Sequence, residues 1–219
     1  MTDFRQYRGI HAGATIWVVA AGMTSTYISG EFFDGKVVVA INWAGQSLGL
    51  ADFHTVTNHW DDAAVTAAAY PHLPVITSDR EQMPDGWVTG TVLDFPNVVM
   101  VPTVDQPYSE YSAAAHWPGG DIFTLGPTSA HLAINWAVFL GAAHIVLVGV
   151  DCGELDGDHH VAGYAGNLNG APVQVNYRLW ESTLRDIAGR LRADGISVHS
   201  LNPFVSLALE DHTFTGGAA

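Results

Sequence analysis

Short apolar, β-branched runs alternate along the chain with stretches of helical periodicity. Residues 16–20, 37–41, 53–57, 74–77, 98–101, 145–150 and 196–201 read as strands, several of them apolar at consecutive positions instead of every second one. The Ala-rich segment 61–70 and the segments 128–140 and 177–193 read as helices. In the last of these, Trp180, Leu184, Ile187 and Leu191 share one face, Arg185, Arg190 and Arg192 point away from it, and Gly195 follows as a cap. Strands apolar on both faces, alternating with helices, predict one α/β domain with a mostly parallel sheet and helices on both faces. The domain is expected over residues 1–213, with a loop insertion at about 102–120 and a flexible tail at 214–219. The insertion carries three prolines, two tyrosines and a His-Trp pair with no periodicity.

Residues 132–150 are nineteen mostly apolar positions that imitate a membrane span. They divide more naturally into a helix, a break at Gly141 and a β-branched strand, and Asn135 and His144 argue against lipid. No membrane span is therefore expected. Composition supports a buried core: 48% of residues are hydrophobic and only 14% charged. Eight basic residues against 22 acidic ones leave a net charge of −14, which repels duplex nucleic acid and anionic lipid. Cys152 is the single cysteine, so neither an intrachain disulfide nor a Cys-rich zinc site forms, and a cytoplasmic location is expected. A homo-oligomer stays open.

Ligands of open α/β sheets bind beyond the carboxyl ends of strands, which directs attention to residues 21–26, 42–46, 151–160 and 202–206, and the opening of the helix 128–140 joins them. After the first strand, Gly22 allows close backbone approach, and the hydroxyls of Thr24, Ser25 and Thr26 suit phosphate oxygens, although a plain helix cap explains them too. After the second, Asn42 offers a donor and an acceptor to a base or a sugar hydroxyl, or else supports a turn. Thr128 and Ser129 open the helix 128–140, as caps or as part of an anion site. The densest segment follows the strand 145–150: Asp151, Cys152, Glu154, Asp156, Asp158, His159 and His160. A histidine beside carboxylates suits a general base near neutral pH. Metal is the weaker reading, because the spacing fails the calcium-loop pattern; Mg²⁺ on Asp151 or Asp156 with substrate phosphates, or a solvated acidic turn, are the alternatives.

Thr128-Ser129, residues 133–137, 140–142 and 145–151, and Asp156-Gly157 through His160 to Gly163 together resemble the Rossmann-like domain of the archaeal 6-hydroxymethylpterin diphosphokinase-like family, which includes flagellin-modifying glycosyltransferases. The small bacterial sialyltransferases share this arrangement, with an Asn after the second strand resembling Asn42 and a pattern resembling Asn202-Pro203 through Ser206 after the last. The similarity is loose over roughly the first sixty residues, closer over 124–207, and absent between. In the first loop Ala21, Met23 and Thr24 depart from the family pattern and Ser25 agrees; Ala130 replaces a glycine, and Gly153 and His159 stand near the places of phosphate-binding tyrosines.

The resemblance implies a glycosyltransferase using a nucleotide-sugar donor, CMP-linked in the sialyltransferases, and a hydroxyl acceptor. His160, or next His159, would be the base, with Asp151 beside it. Ser25, Thr128 and Ser129 would meet the phosphate, beside Gly22 and Thr24, which the residues of the first loop put there without help from the resemblance, and Asn42, Asn202 and Ser206 would meet the nucleoside. No metal is needed on that reading. The alternatives are a Mg²⁺-dependent diphosphokinase acting on a pterin-like alcohol and a non-catalytic nucleotide-binding module of the same fold.

Overall fold

A computed structural model describes residues 2–57, 60–79, 92–104, 121–124, 126, 128–154, 158, 174–202, 205 and 209. The predicted tail and most of the predicted loop insertion lie outside the described residues.

The elements run β1 (Thr15–Val19), β2 (Val37–Ile41), α1 (Ala44–Ser47), β3 (His54–Thr57), α2 (Trp60–Ala69), β4 (Val75–Ser78), β5 (Val98–Val101), β6 (Thr103–Val104), β7 (Phe123–Thr124), α3 (Ser129–Phe139), β8 (His144–Val148), α4 (Gln174–Ala193) and β9 (Ser197–Ser200). Seven strands form one sheet in the order β5-β4-β3-β2-β1-β8-β9, and every pairing is parallel. This is a Rossmann-like α/β fold, as the alternating pattern predicts. β6 and β7 pair separately, in parallel, at the two ends of the predicted insertion.

Alternate residues of each strand feed two cores. Val18, Val39, Val56, Ile76, Val99 and Leu147 face α3 and α4, where Leu132, Trp136, Leu184 and Leu191 are nearly or wholly excluded from water. Val19, Val38 and Ala40 point the other way, against Phe33, Leu50 and Phe53. Further along that face, Val75 and Val98 meet Ala63 and Ala67 of α2. Small side chains four positions apart let α2 settle close on the sheet, which is why an Ala-rich segment is a buried helix here.

The run 132–150 is two elements, as its pattern suggests: α3 ends at Phe139, the chain turns through Gly141, and β8 begins at His144. α3 is apolar nearly all round because it is covered on every side, with Trp136 stacked on Phe139 at 5.4 Å and touching Phe123 at 5.9 Å. The N-terminal segment closes its end: the amides of Gly9, His11 and Gly13 donate to the carbonyls of Phe139, Leu140 and Gly141 at 2.8–2.9 Å. Among the described residues, no helix is long and apolar enough to cross a membrane.

The predicted strand 145–150 starts one residue earlier and stops two sooner, because Gly149 turns the chain at φ +66. α1, β6 and β7 were not foreseen: two to four residues are too few to show a period.

Candidate functional site

The chain builds β1 through β5 outward to one side, then returns to lay β8 on the other side of β1. The strand order therefore reverses between β1 and β8, and the crevice over their carboxyl ends is where a doubly wound sheet takes its ligand. Gly22, Thr24, Ser25, Asp151 and Asn202 gather there.

The ends of β1 and β8 are pressed together by backbone bonds from Ala20 N–H to Val148 O at 2.7 Å and from Gly22 N–H to Gly149 O at 2.9 Å. A methyl group on Gly22 would stand 2.3 Å from the Gly149 carbonyl and 2.7 Å from Asp151 Oδ2, and one on Gly149 would stand 2.2 Å from the Ala20 carbonyl. The close approach at Gly22 is to the protein's own β8 loop.

Asp151 is the knot of the crevice. Its Oδ2 accepts the Thr24 amide at 2.8 Å, and its Oδ1 accepts the Thr24 hydroxyl and Asn202 Nδ2 at 3.2 Å. One carboxylate thereby ties the loops after β1, β8 and β9. Asn202 is buried, and its Oδ1 also accepts the Val205 amide at 3.4 Å.

The hydroxyls of the first loop each have a partner within the chain. Thr24 donates to Asp151; Ser25, fully buried, donates to the Gly22 carbonyl at 2.8 Å; Thr26 donates to the Met23 carbonyl at 2.7 Å. Residues 23–27 form a 3-10 turn, and short hydroxylated side chains satisfy the carbonyls such a turn leaves open.

Thr128 and Ser129 lie on the same edge, since α3 runs back across the sheet to lead into β8. Thr128 is the N-cap and accepts the Ala130 amide at 3.2 Å. Its hydroxyl also meets His131 Nδ1 at 2.9 Å, while His131 Nε2 meets the Thr183 hydroxyl on α4 at 2.8 Å. Thr183 spends its own proton on the Leu179 or Trp180 carbonyl, so His131 is assigned as the Nε2–H tautomer and takes the Thr128 proton on Nδ1. Thr128 is therefore also spent, on joining α3 to α4. Ser129 is half-buried at the first position of α3.

Asn42, directly after β2, has φ +50, and Cys152, four residues past the end of β8, has φ +48; among the described residues they are the two non-glycines in the left-handed region. Burial, then Glu181 and Asp151, push the Cys152 thiol up to about 12, so it is no nucleophile. Burial, then Glu154, Cys152 and Asp151, push the Tyr177 phenol up to about 12, which keeps it a neutral hydroxyl at the start of α4.

Asp156, His159, His160 and Ser206 lie outside the described residues. Among the described residues no three His, Cys, Asp or Glu side chains stand together as metal ligands. The two oxygens of Asp151 together accept three hydrogen bonds from the chain.

Sequence reasoning missed His131 and Tyr177. A lone histidine inside an otherwise apolar helix, three residues after a capping threonine, was the available signal for the first. Tyr177 carried none, since only the fold brings the start of α4 to the end of β8. No family model matches the chain, and neither a curated protein nor a solved structure matches it.

Proposed function

We propose that the chain is a nucleotide-dependent transferase, a glycosyltransferase with a nucleotide-sugar donor. The observation that carries this reading is the reversal of strand order between β1 and β8, with the loops at that point knotted by Asp151. The two left-handed non-glycine residues support the reading, because such backbone persists where a site requires it. The amides opening α3 face this edge and suit the departing nucleotide phosphate. Asn42 holds the ribose. His160, with His159 second, takes the proton from the acceptor hydroxyl as its oxygen attacks the anomeric carbon, and the sugar–phosphate bond breaks with its electrons going to the nucleotide.

Thermal unfolding with CMP, UDP, GDP and ATP, each with and without Mg²⁺, tests the proposal. A nucleotide at 100 times its Kd stabilises by about 2.7 kcal/mol, a Tm rise of about 5–10 °C for a domain of this size. A rise without Mg²⁺ is expected. Once a donor is known, His160→Ala should cost about 10²–10⁴ in turnover with nucleotide affinity kept. A rise confined to ATP with Mg²⁺ would favour diphosphoryl transfer to a pterin-like alcohol. Binding without turnover would favour a non-catalytic nucleotide module, which the internally committed hydroxyls of Thr24, Ser25 and Thr26 also favour. No rise with any nucleotide overturns all three.

A further inference from the structure

One corner of the sheet lies bare. β1 and β8 share the same order of burial, exposed, buried, half-buried, buried, buried, and β9 alternates likewise. Ile16, Val18, Ile145, Leu147 and Val198 face α3 and α4 and are packed. Towards the other face, the amino halves of the three strands are open. The register sets six residues there in two rows: Thr15, His144 and Ser197, then Trp17, Val146 and His199. Thr15, His144 and His199 are exposed, and Trp17, Val146 and Ser197 are half-buried. Phe32, 41% exposed, rims the corner with its ring 5.0 Å from that of Trp17. β4, further along the same sheet, is buried at every position. A parallel sheet ordinarily has both faces covered. Here α3 and α4 take the opposite face and α2 sits over β3, β4 and β5, so neither they nor any other described helix covers this corner.

Its chemistry says what fits. None of the six residues is Asp, Glu, Lys or Arg, in a chain whose net charge is −14. A basic partner would find its match on the acidic remainder of the surface. A second copy, itself at −14, is repelled by that remainder and meets no carboxylate among the six. Hydroxyls and imidazoles both donate and accept, so the face is complementary to itself, as a two-fold contact requires.

We propose that this face is the contact between two copies of the chain, stacked sheet on sheet about a two-fold axis with Trp17 and Val146 near its centre. The inference is independent of the nucleotide reading. The face is only three strands wide, so the dimer is a weak one, with a Kd of about 1–100 μM.

Sedimentation equilibrium of the full chain at about 1–200 μM, in low and in high salt, tests this. Thr15→Glu and His199→Glu each set like charges against the partner at an exposed position. Ile122→Glu is the control: Ile122 is 49% exposed and adjoins Phe123, which packs with α3 on the opposite side of the sheet. Circular dichroism checks that each variant keeps the fold, and if one does not, the other decides. Wild type should dimerise, more tightly in high salt, because screening relieves the repulsion between two acidic chains. Thr15→Glu and His199→Glu should each weaken the dimer at least about tenfold, and Ile122→Glu should match wild type. A chain that stays monomeric in both salts overturns the proposal, and another occupant then covers the face. A dimer untouched by Thr15→Glu and His199→Glu, or weakened equally by Ile122→Glu, is held elsewhere and also overturns it. So does a dimer that weakens in high salt, because ion pairs would then hold it.

Discussion

His131 lies where a charged imidazole is costly. It is buried between α3 and α4, its Nε2–H donates to Thr183 and its Nδ1 accepts from Thr128. Burial depresses its pKa from 6.5 to about 4, only partly opposed by a hydrogen bond to the Thr128 backbone. His54 behaves alike: burial first, and then His11, lower it to about 4, and as the neutral ring it accepts Trp136 Nε1–H at 3.0 Å. Between pH 6.5 and about 4 the unfolded chain holds these protons and the folded chain does not, so stability is complete above pH 6.5 and drains away as pH falls. Each histidine is worth about 3 kcal/mol by the bottom of that window. Set against a total of roughly 5–15 kcal/mol for a natural domain, the pair accounts for a large share of the stability lost in acid. The assay is denaturant unfolding followed by tryptophan fluorescence at intervals from pH 7 to 5, above the range where carboxylates titrate. His131→Gln keeps a donor towards Thr183 and should lower stability at pH 7 by about 1–3 kcal/mol through the lost ring and one lost bond. Below pH 6 its stability should fall less steeply than that of wild type, by about 1.4 kcal/mol per pH unit, because one proton fewer is taken up on unfolding. Parallel slopes for the two proteins would refute the buried neutral imidazole.

Three other outcomes follow from the crevice. Asp151→Ala leaves the Thr24 amide, the Thr24 hydroxyl and Asn202 Nδ2 without their shared acceptor; at about 1 kcal/mol each the loss is about 3 kcal/mol, or about 6–12 °C in Tm, and Asp151→Asn should lose about half of that. A drop of less than about 2 °C in Asp151→Ala would show that the carboxylate does not tie the loops. Gly149→Ala forces a side chain onto φ +66 and to 2.2 Å from the Ala20 carbonyl, so about 3 kcal/mol or more should be lost; soluble protein melting like wild type would contradict the packing of β1 on β8. Cys152 should react slowly with a disulfide reagent at pH 8 until the chain is unfolded, because its thiol stays protonated to about 12; rapid stoichiometric labelling of the folded protein would disprove this.

The strands were legible because each is a contiguous run whose hydrophobicity speaks for itself. Residues 37–41 and 98–101 are β2 and β5 as read, and the remaining main-sheet strands differ by one or two residues at an end, where a turning glycine such as Gly149 decides the stop. The division of 132–150 was legible too, since the period changes within it. Asp151 was picked out from the sequence because it follows a buried strand. Its partners were hidden, because Thr24 and Asn202 stand 127 and 51 residues away and no local pattern links them. The Thr24, Ser25 and Thr128 hydroxyls looked ready for a ligand for the same reason: whether a hydroxyl is free or spent depends on which carbonyl, carboxylate or imidazole folding brings alongside. Periodicity and composition by themselves determined a parallel α/β sheet covered on both faces, since burial of a strand or helix face is written in its own residues. The order of the strands and the place where that order reverses belong to tertiary structure alone, because they depend on contacts between segments that carry no record of one another.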